Sequence, residues 1–145
     1  MVILMNRLLV KFLILSAAFL LCAGCGNGNA GKQGSGSPLS EEISKSIDVE
    51  NVARVNIING SSGDIIKITD LDKIKSIMQF SGQLKAVRTE NGQATGWLYA
   101  FEYEDINGAA IKVTFAGENS SVGEEKFNII CNSDELKKFV EQISE

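Results

Sequence analysis

Residues 96–115 read GWLYAFEYEDINGAAIKVTF, and the alternation within that stretch decides the fold. Trp97, Tyr99, Phe101 and Tyr103 alternate with Leu98, Ala100, Glu102 and Glu104, which makes a strand with one aromatic face. Ile111, Val113 and Phe115 repeat the alternation after the turn segment Asp105-Ile106-Asn107-Gly108-Ala109. Loop length then fixes which residues oppose each other. A two-residue Asn-Gly loop would set Tyr103 against Lys112 and mix aromatics with lysines. A three-residue loop with Gly108 in the left-handed conformation sets Tyr103 against Ile111, Phe101 against Val113 and Glu102 against Lys112. Every pair then agrees with its face, so the second register is expected.

Working outward, Phe127, Ile129 and Cys131 alternate in a further strand, and Asn132 or Ser133 caps a helix. Leu136, Phe139, Val140 and Ile143 share a face of that helix, and Asn132 with Glu135 has the capping-box spacing. Upstream, Val52–Ile58 and Asp64–Thr69 are apolar runs separated by a glycine-containing loop, a hairpin signal. The period then changes. Asp70 can cap a helix that carries Leu71, Ile74, Ile77 and Met78 on one face, with Gly82 expected to stop it. Leu84–Thr89 reads as a strand and residues 90–95, containing Asn91-Gly92, as a loop.

The order β-β-α-β-β-β-β-α predicts an α+β domain. Its sheet of five to six strands is mostly antiparallel, with two helices packed on one face. The covered face is expected to hold Trp97, Tyr99, Phe101, Tyr103, Ile111, Val113, Phe115, Phe127 and Ile129. The open face is expected to carry Asn56, Ile58, Leu98, Ala100, Glu102, Lys112, Thr114, Asn128 and Ile130. Of these, Ile58, Leu98, Ala100 and Ile130 would form an apolar patch among polar neighbours, the best candidate interaction surface.

The N-terminal part reads differently. Arg7 and Lys11 precede an apolar run from Phe12 to Leu21, and the uncharged stretch up to Cys25 is too short for a bilayer span, which needs about 20 residues. Residues 1–24 therefore read as a signal peptide, 25–50 as a flexible linker rich in glycine, and 51–145 as a single domain. Within the linker, Leu39, Ile43 and Ile47 could align on a short helix capped by Ser40. Gly26, Gly28 and Gly31 spell a G-x-G-x-x-G, but no strand precedes it and no helix follows, so the pyrophosphate reading fails.

Leu21-Cys22-Ala23-Gly24-Cys25 resembles the lipobox of bacterial lipoproteins, with Cys22 where a leucine is usual. The resemblance implies that Leu21, Cys22, Ala23 and Gly24 guide a signal peptidase. It also implies that Cys25 carries the lipid, palmitate-type acyl chains included. The order of lipobox, tether and domain is similar to small lipoproteins of Gram-positive bacteria that carry one C-terminal domain of unknown function. That likeness implies a place on the extracytoplasmic face of the membrane and supplies no activity. The C-x-x-C of Cys22 and Cys25 is accordingly no redox pair, and Cys131 remains as a small core residue.

Composition excludes several chemistries. The chain has no histidine, so Ser-His and Cys-His nucleophile pairs and the commonest zinc ligand are missing. Removing residues 1–24 takes away Arg7 and Lys11 and no acid, so the net charge falls from −4 to −6. No run of basic residues offsets it, and nucleic acid is not an expected partner. Asp70 and Asp72 fit a helix start, where the dipole favours acids. Glu102, Glu104 and Asp105 fit a solvated charge ladder. No cofactor, metal or catalytic residue is expected.

The expected function is a non-enzymatic binding or regulatory module. It would be anchored through lipid on Cys25 and contact an envelope protein or cell-wall component. The alternative is a small envelope hydrolase using Glu102 or Asp105, which would need a cleft holding a carboxylate of raised pKa.

Overall fold

The structure is a computed structural model and describes residues 36–90 and 96–145. The expected signal peptide, Cys25, the first part of the linker and Asn91-Gly92 lie outside the described residues. The class is α+β, as the alternation implies. Among the described residues, eight strands form one antiparallel sheet and three α-helices accompany it. The strands are β1 (Ser37–Pro38), β2 (Val52–Asn59), β3 (Ile65–Ile68), β4 (Lys85–Arg88), β5 (Tyr99–Asp105), β6 (Ala110–Phe115), β7 (Ser120–Val122) and β8 (Glu125–Ile130). The helices are α1 (Leu39–Ser44), α2 (Leu71–Gln83) and α3 (Ser133–Ser144). Across the sheet the strands run β1-β4-β8-β7-β6-β5-β2-β3.

The count exceeds the expected five to six strands and two helices for a physical reason. β1 and β7 have two and three residues, too few to show a period. The third helix comes from the expected linker. Leu39 and Ile43 of α1 are wholly buried, Ile47 nearly so, and all three join the one hydrophobic cluster. Residues 39–47 therefore belong to the folded domain, which was expected to begin at residue 51. The close fit includes Gly36: a Cβ on it would meet Val87 Cγ2 at 2.8 Å and the Ala86 carbonyl oxygen at 3.1 Å. Ser40 is not the cap of α1; Pro38 holds that place without a side-chain hydrogen bond.

The central hairpin has the expected register. Tyr103 opposes Ile111, Phe101 opposes Val113 and Glu102 opposes Lys112. Gly108 closes the loop at φ +82°, and the Asp105 amide donates to the Ala109 carbonyl. The side chain of Asp70 accepts from the Asp72 and Lys73 amides and starts α2. Asn132 accepts from the Asp134 amide and starts α3. Gly82 does not stop α2, which runs on to Gln83, and Leu71 on its first turn is exposed. The buried face of α2 is Ile74, Ile77, Phe80 and Ser81.

All three helices lie on one face of the sheet. Ile57, Phe101 and Val113 line up across β2, β5 and β6 in its most buried row. Tyr103 is buried beside them, and its hydroxyl meets Ser81 Oγ at 2.9 Å. Ser81 also donates to the Ile77 carbonyl at 2.9 Å, so both buried hydroxyls have partners. Burial pushes the Tyr103 phenol far above its ordinary pKa, only partly opposed by the Ser81 hydrogen bond. Phe80 of α2 and Phe139 of α3 stack with ring centroids 4.1 Å apart, joining the two helices over the sheet.

Candidate functional site

The expected apolar patch on the open face is not assembled. Ile130 is 58% exposed, but it lies on β8, four strands away from Ile58 on β2. Strands are spaced about 4.8 Å apart, so the two are about 19 Å apart across the sheet. Ala100 is on the open face and has no exposed surface. Leu98 precedes β5 and packs against the hydrophobic cluster, lining a depression of about 240 Å³ with Phe115, Ile129, Cys131 and Leu136.

Trp97 moves the other way. It was expected among the covered aromatics, yet Lys112, an open-face residue, holds its ammonium 5.4 Å from the indole centroid. Gly60 lets the ring lie there: a Cβ on it would meet the Trp97 carbonyl oxygen at 1.8 Å and ring atom Cε3 at 2.9 Å. The regular register starts at Tyr99; Leu98 still donates its amide to the Phe115 carbonyl and accepts from the Gly60 amide, outside that register, and Gly96 has φ +79°. The alternation of the strand therefore does not extend back to Trp97 and Leu98.

The rest of the open face is polar and follows the strand register. Lys112, Glu102, Asn56 and Lys67 form one cross-strand row over β6, β5, β2 and β3. Within it, Asn56 Nδ2 donates to Glu102 Oε2 at 3.0 Å. The next row sets Lys126, Ser121, Thr114, Ala100, Ile58 and Ile65 side by side. There Thr114 Oγ1 and Ser121 Oγ share a hydrogen bond of 2.7 Å. On the other side of the first row, Arg54 pairs with Glu104.

The two candidate acids of the hydrolase reading are placed differently. Glu102 stands on the sheet face between Asn56 and Lys112. Asp105 is buried at the end of β5, where its carboxylate accepts from three backbone amides: Asp48 at 3.1 Å, Asn107 at 2.8 Å and Ala109 at 3.0 Å. The Asp48 amide, with Ala109 and Asn107, holds its pKa below the usual carboxylate range despite desolvation. That direction is opposite to the one a general acid needs. Asp105 fastens the hairpin loop to the segment before β2.

A second buried carboxylate escaped the sequence reading. Glu42 of α1 accepts from Ser37 Oγ and Lys45 Nζ, each at 2.5 Å. The Lys45 hydrogen bond first, and then Ser37, hold its pKa below the usual range against desolvation. It borders a depression of about 380 Å³ with Arg88, Lys112 and the β7–β8 turn. The i, i+3 spacing to Lys45 was visible; the burial depended on α1 entering the core. Cys131 is half-buried, and its thiol is pushed up to about 11 by burial and then by Glu135, so it stays a protonated packing residue at neutral pH. Among the described residues no group of three or more metal-ligating side chains converges.

Among the described residues, the geometry defines an α+β domain whose helices lie on one side of the sheet. Comparison of the chain with protein families, with curated proteins and with solved structures finds no match.

Proposed function

We propose that the chain is a membrane-anchored extracytoplasmic lipoprotein, held by lipid on Cys25, whose domain is a non-enzymatic binding or regulatory module for another envelope component. The anchor rests on the sequence from Arg7 to Cys25. Among the described residues no helix is long and apolar enough to cross a membrane. Lipid on Cys25 supplies the attachment this reading needs.

The observation that carries the binding half is the one-sided sheet. Among the described residues, the eight strands offer a broad face on the side away from the three helices. Two experiments test the two halves. Cell fractionation of the full chain and a Cys25→Ser variant tests the anchor. The native chain should partition with membranes and begin at a lipid-bearing cysteine by mass, and the variant should lose both. Equal partition of an unprocessed chain would overturn it. Capture of envelope components on the immobilised full chain tests the module, with Ile65→Asp, Ile130→Asp as the control. A partner held by the native face and lost by the variant supports the reading, and equal retention would place the contact elsewhere.

A further inference from the structure

Charge is distributed unevenly over this domain, and no stretch of its sequence shows it. Strand pairing brings Arg54, Lys67, Lys85, Lys112 and Lys126 to the open face, five of the chain's 14 basic residues. Among the described strand residues, Glu102 and Glu104 are the acids that strand pairing places on the same face. The face is thus net positive in a chain of net charge −4. Glu104 is engaged by Arg54 and Glu102 by Asn56.

The lysines also have an order. Lys67 and Lys112 share one cross-strand row, Lys126 is in the next, and Lys85, opposite Ile130, is two rows further on. They mark a diagonal stripe from β3 to β4, six strand spacings or about 29 Å. The acids of the helical layer stand about 10 Å or more behind the sheet, beyond the Debye length of about 8 Å at physiological salt. A ligand on the face therefore meets the stripe rather than the net charge. Beside the stripe lie the partly open Trp97 ring and the hydroxyl pair of Thr114 and Ser121.

We propose that the open face binds an anionic glycan, with the Trp97 indole against a sugar ring and the lysine stripe matching the carboxylate or phosphate groups along the polymer. This rests on the envelope-module reading and names the partner class. The diagonal spread suits an extended polymer better than a compact ligand. An aromatic plate beside hydroxyl and amide groups suits sugar rings, which present C–H faces and a rim of hydroxyls. Single-stranded nucleic acid wants successive aromatic platforms, and here there is one.

Trp97 is the only tryptophan in the chain, so its emission reports on the proposed contact directly. The full chain in neutral detergent would be titrated with polygalacturonate. Neutral dextran, polyglutamate, single-stranded DNA and phosphatidylglycerol vesicles serve as comparison probes. Polygalacturonate should shift Trp97 emission at about 0.05 M salt and lose the effect near about 0.5 M. Lys67→Gln and Lys85→Gln, both at exposed positions, should each weaken binding about two- to fivefold and leave the fold intact. Trp97→Phe, followed by retention on immobilised polygalacturonate, should weaken it further. Three results would overturn the proposal: no binding, binding with unchanged Trp97 emission, or equal or tighter binding of polyglutamate, DNA or vesicles. Membrane partition of Cys25→Ser is read separately, so loss of glycan binding with intact anchoring would leave the lipoprotein reading standing.

Discussion

Ala100 and Phe101 are neighbours in β5, yet they belong to surfaces of opposite character. On the helical side, Phe101 stands between Ile57 and Val113, and all three are inaccessible to water. On the other side, one residue further, Glu102 stands between Asn56 and Lys112. The same backbone ladder serves both. The covered face supplies the apolar burial that holds a small domain together, at about 25 cal/mol per Å² removed from water. The open face contributes little burial, which leaves its side chains at liberty to carry charge. Apolar burial and exposed charge are divided between the two sides of one sheet.

That division is open to attack from its strong side first. Phe101→Ala should cost about 3–5 kcal/mol of unfolding free energy, read by chemical denaturation. A loss below about 1 kcal/mol would mean that the buried row does not hold the fold. Ile43→Ala should cost about 2–5 kcal/mol, because α1 belongs to the covered side despite its origin in a linker-like sequence. A negligible effect there would return residues 39–47 to the tether. Tyr103→Phe should cost about 1 kcal/mol, since it removes the buried hydrogen bond and leaves Ser81 its bond to Ile77.

Glu42→Gln sharpens the comparison through pH. The native carboxylate has a folded pKa below its ordinary value, so its stabilisation is full above the unfolded pKa of about 4.3. It is lost as pH falls through the folded value. The variant should be less stable than the native chain at pH 7, and the gap should close on acidification below about pH 4. A gap constant with pH would show that Glu42 gives no charge-dependent stability. Least of all, Ile130→Asn on the open face should change stability by no more than about 0.5 kcal/mol. A large loss would mean that this face is not open.

Much of the fold was legible because its signals are local. The register of the central hairpin followed from loop length and from the demand that Phe101 meet an apolar partner and Glu102 a basic one. Asp70 and Asn132 were readable as caps because the bond they make reaches only two or three residues ahead. Trp97 was misplaced because a period of two holds only within a regular ladder, and the regular register starts at Tyr99. Leu39, Ile43 and Ile47 showed their helical spacing but not their burial, which depends on the α2 and sheet residues they meet. The candidate surface was least legible. Lys67, Lys85, Lys112 and Lys126 lie on four different strands, and only the non-local strand order brings them together.

The place where the chain enters the domain has a mechanical consequence. A pull on the chain ahead of residue 36 is met first by β1, an edge strand of two residues held to β4 through Ser37 and Pro38. Behind it stand Leu39 and Ile43, seated in the core, so the next resistance to tension is α1. The strand beside Trp97 lies five strand spacings away from that suspension point. Tension applied there would reach the sheet margin before the centre of the open face.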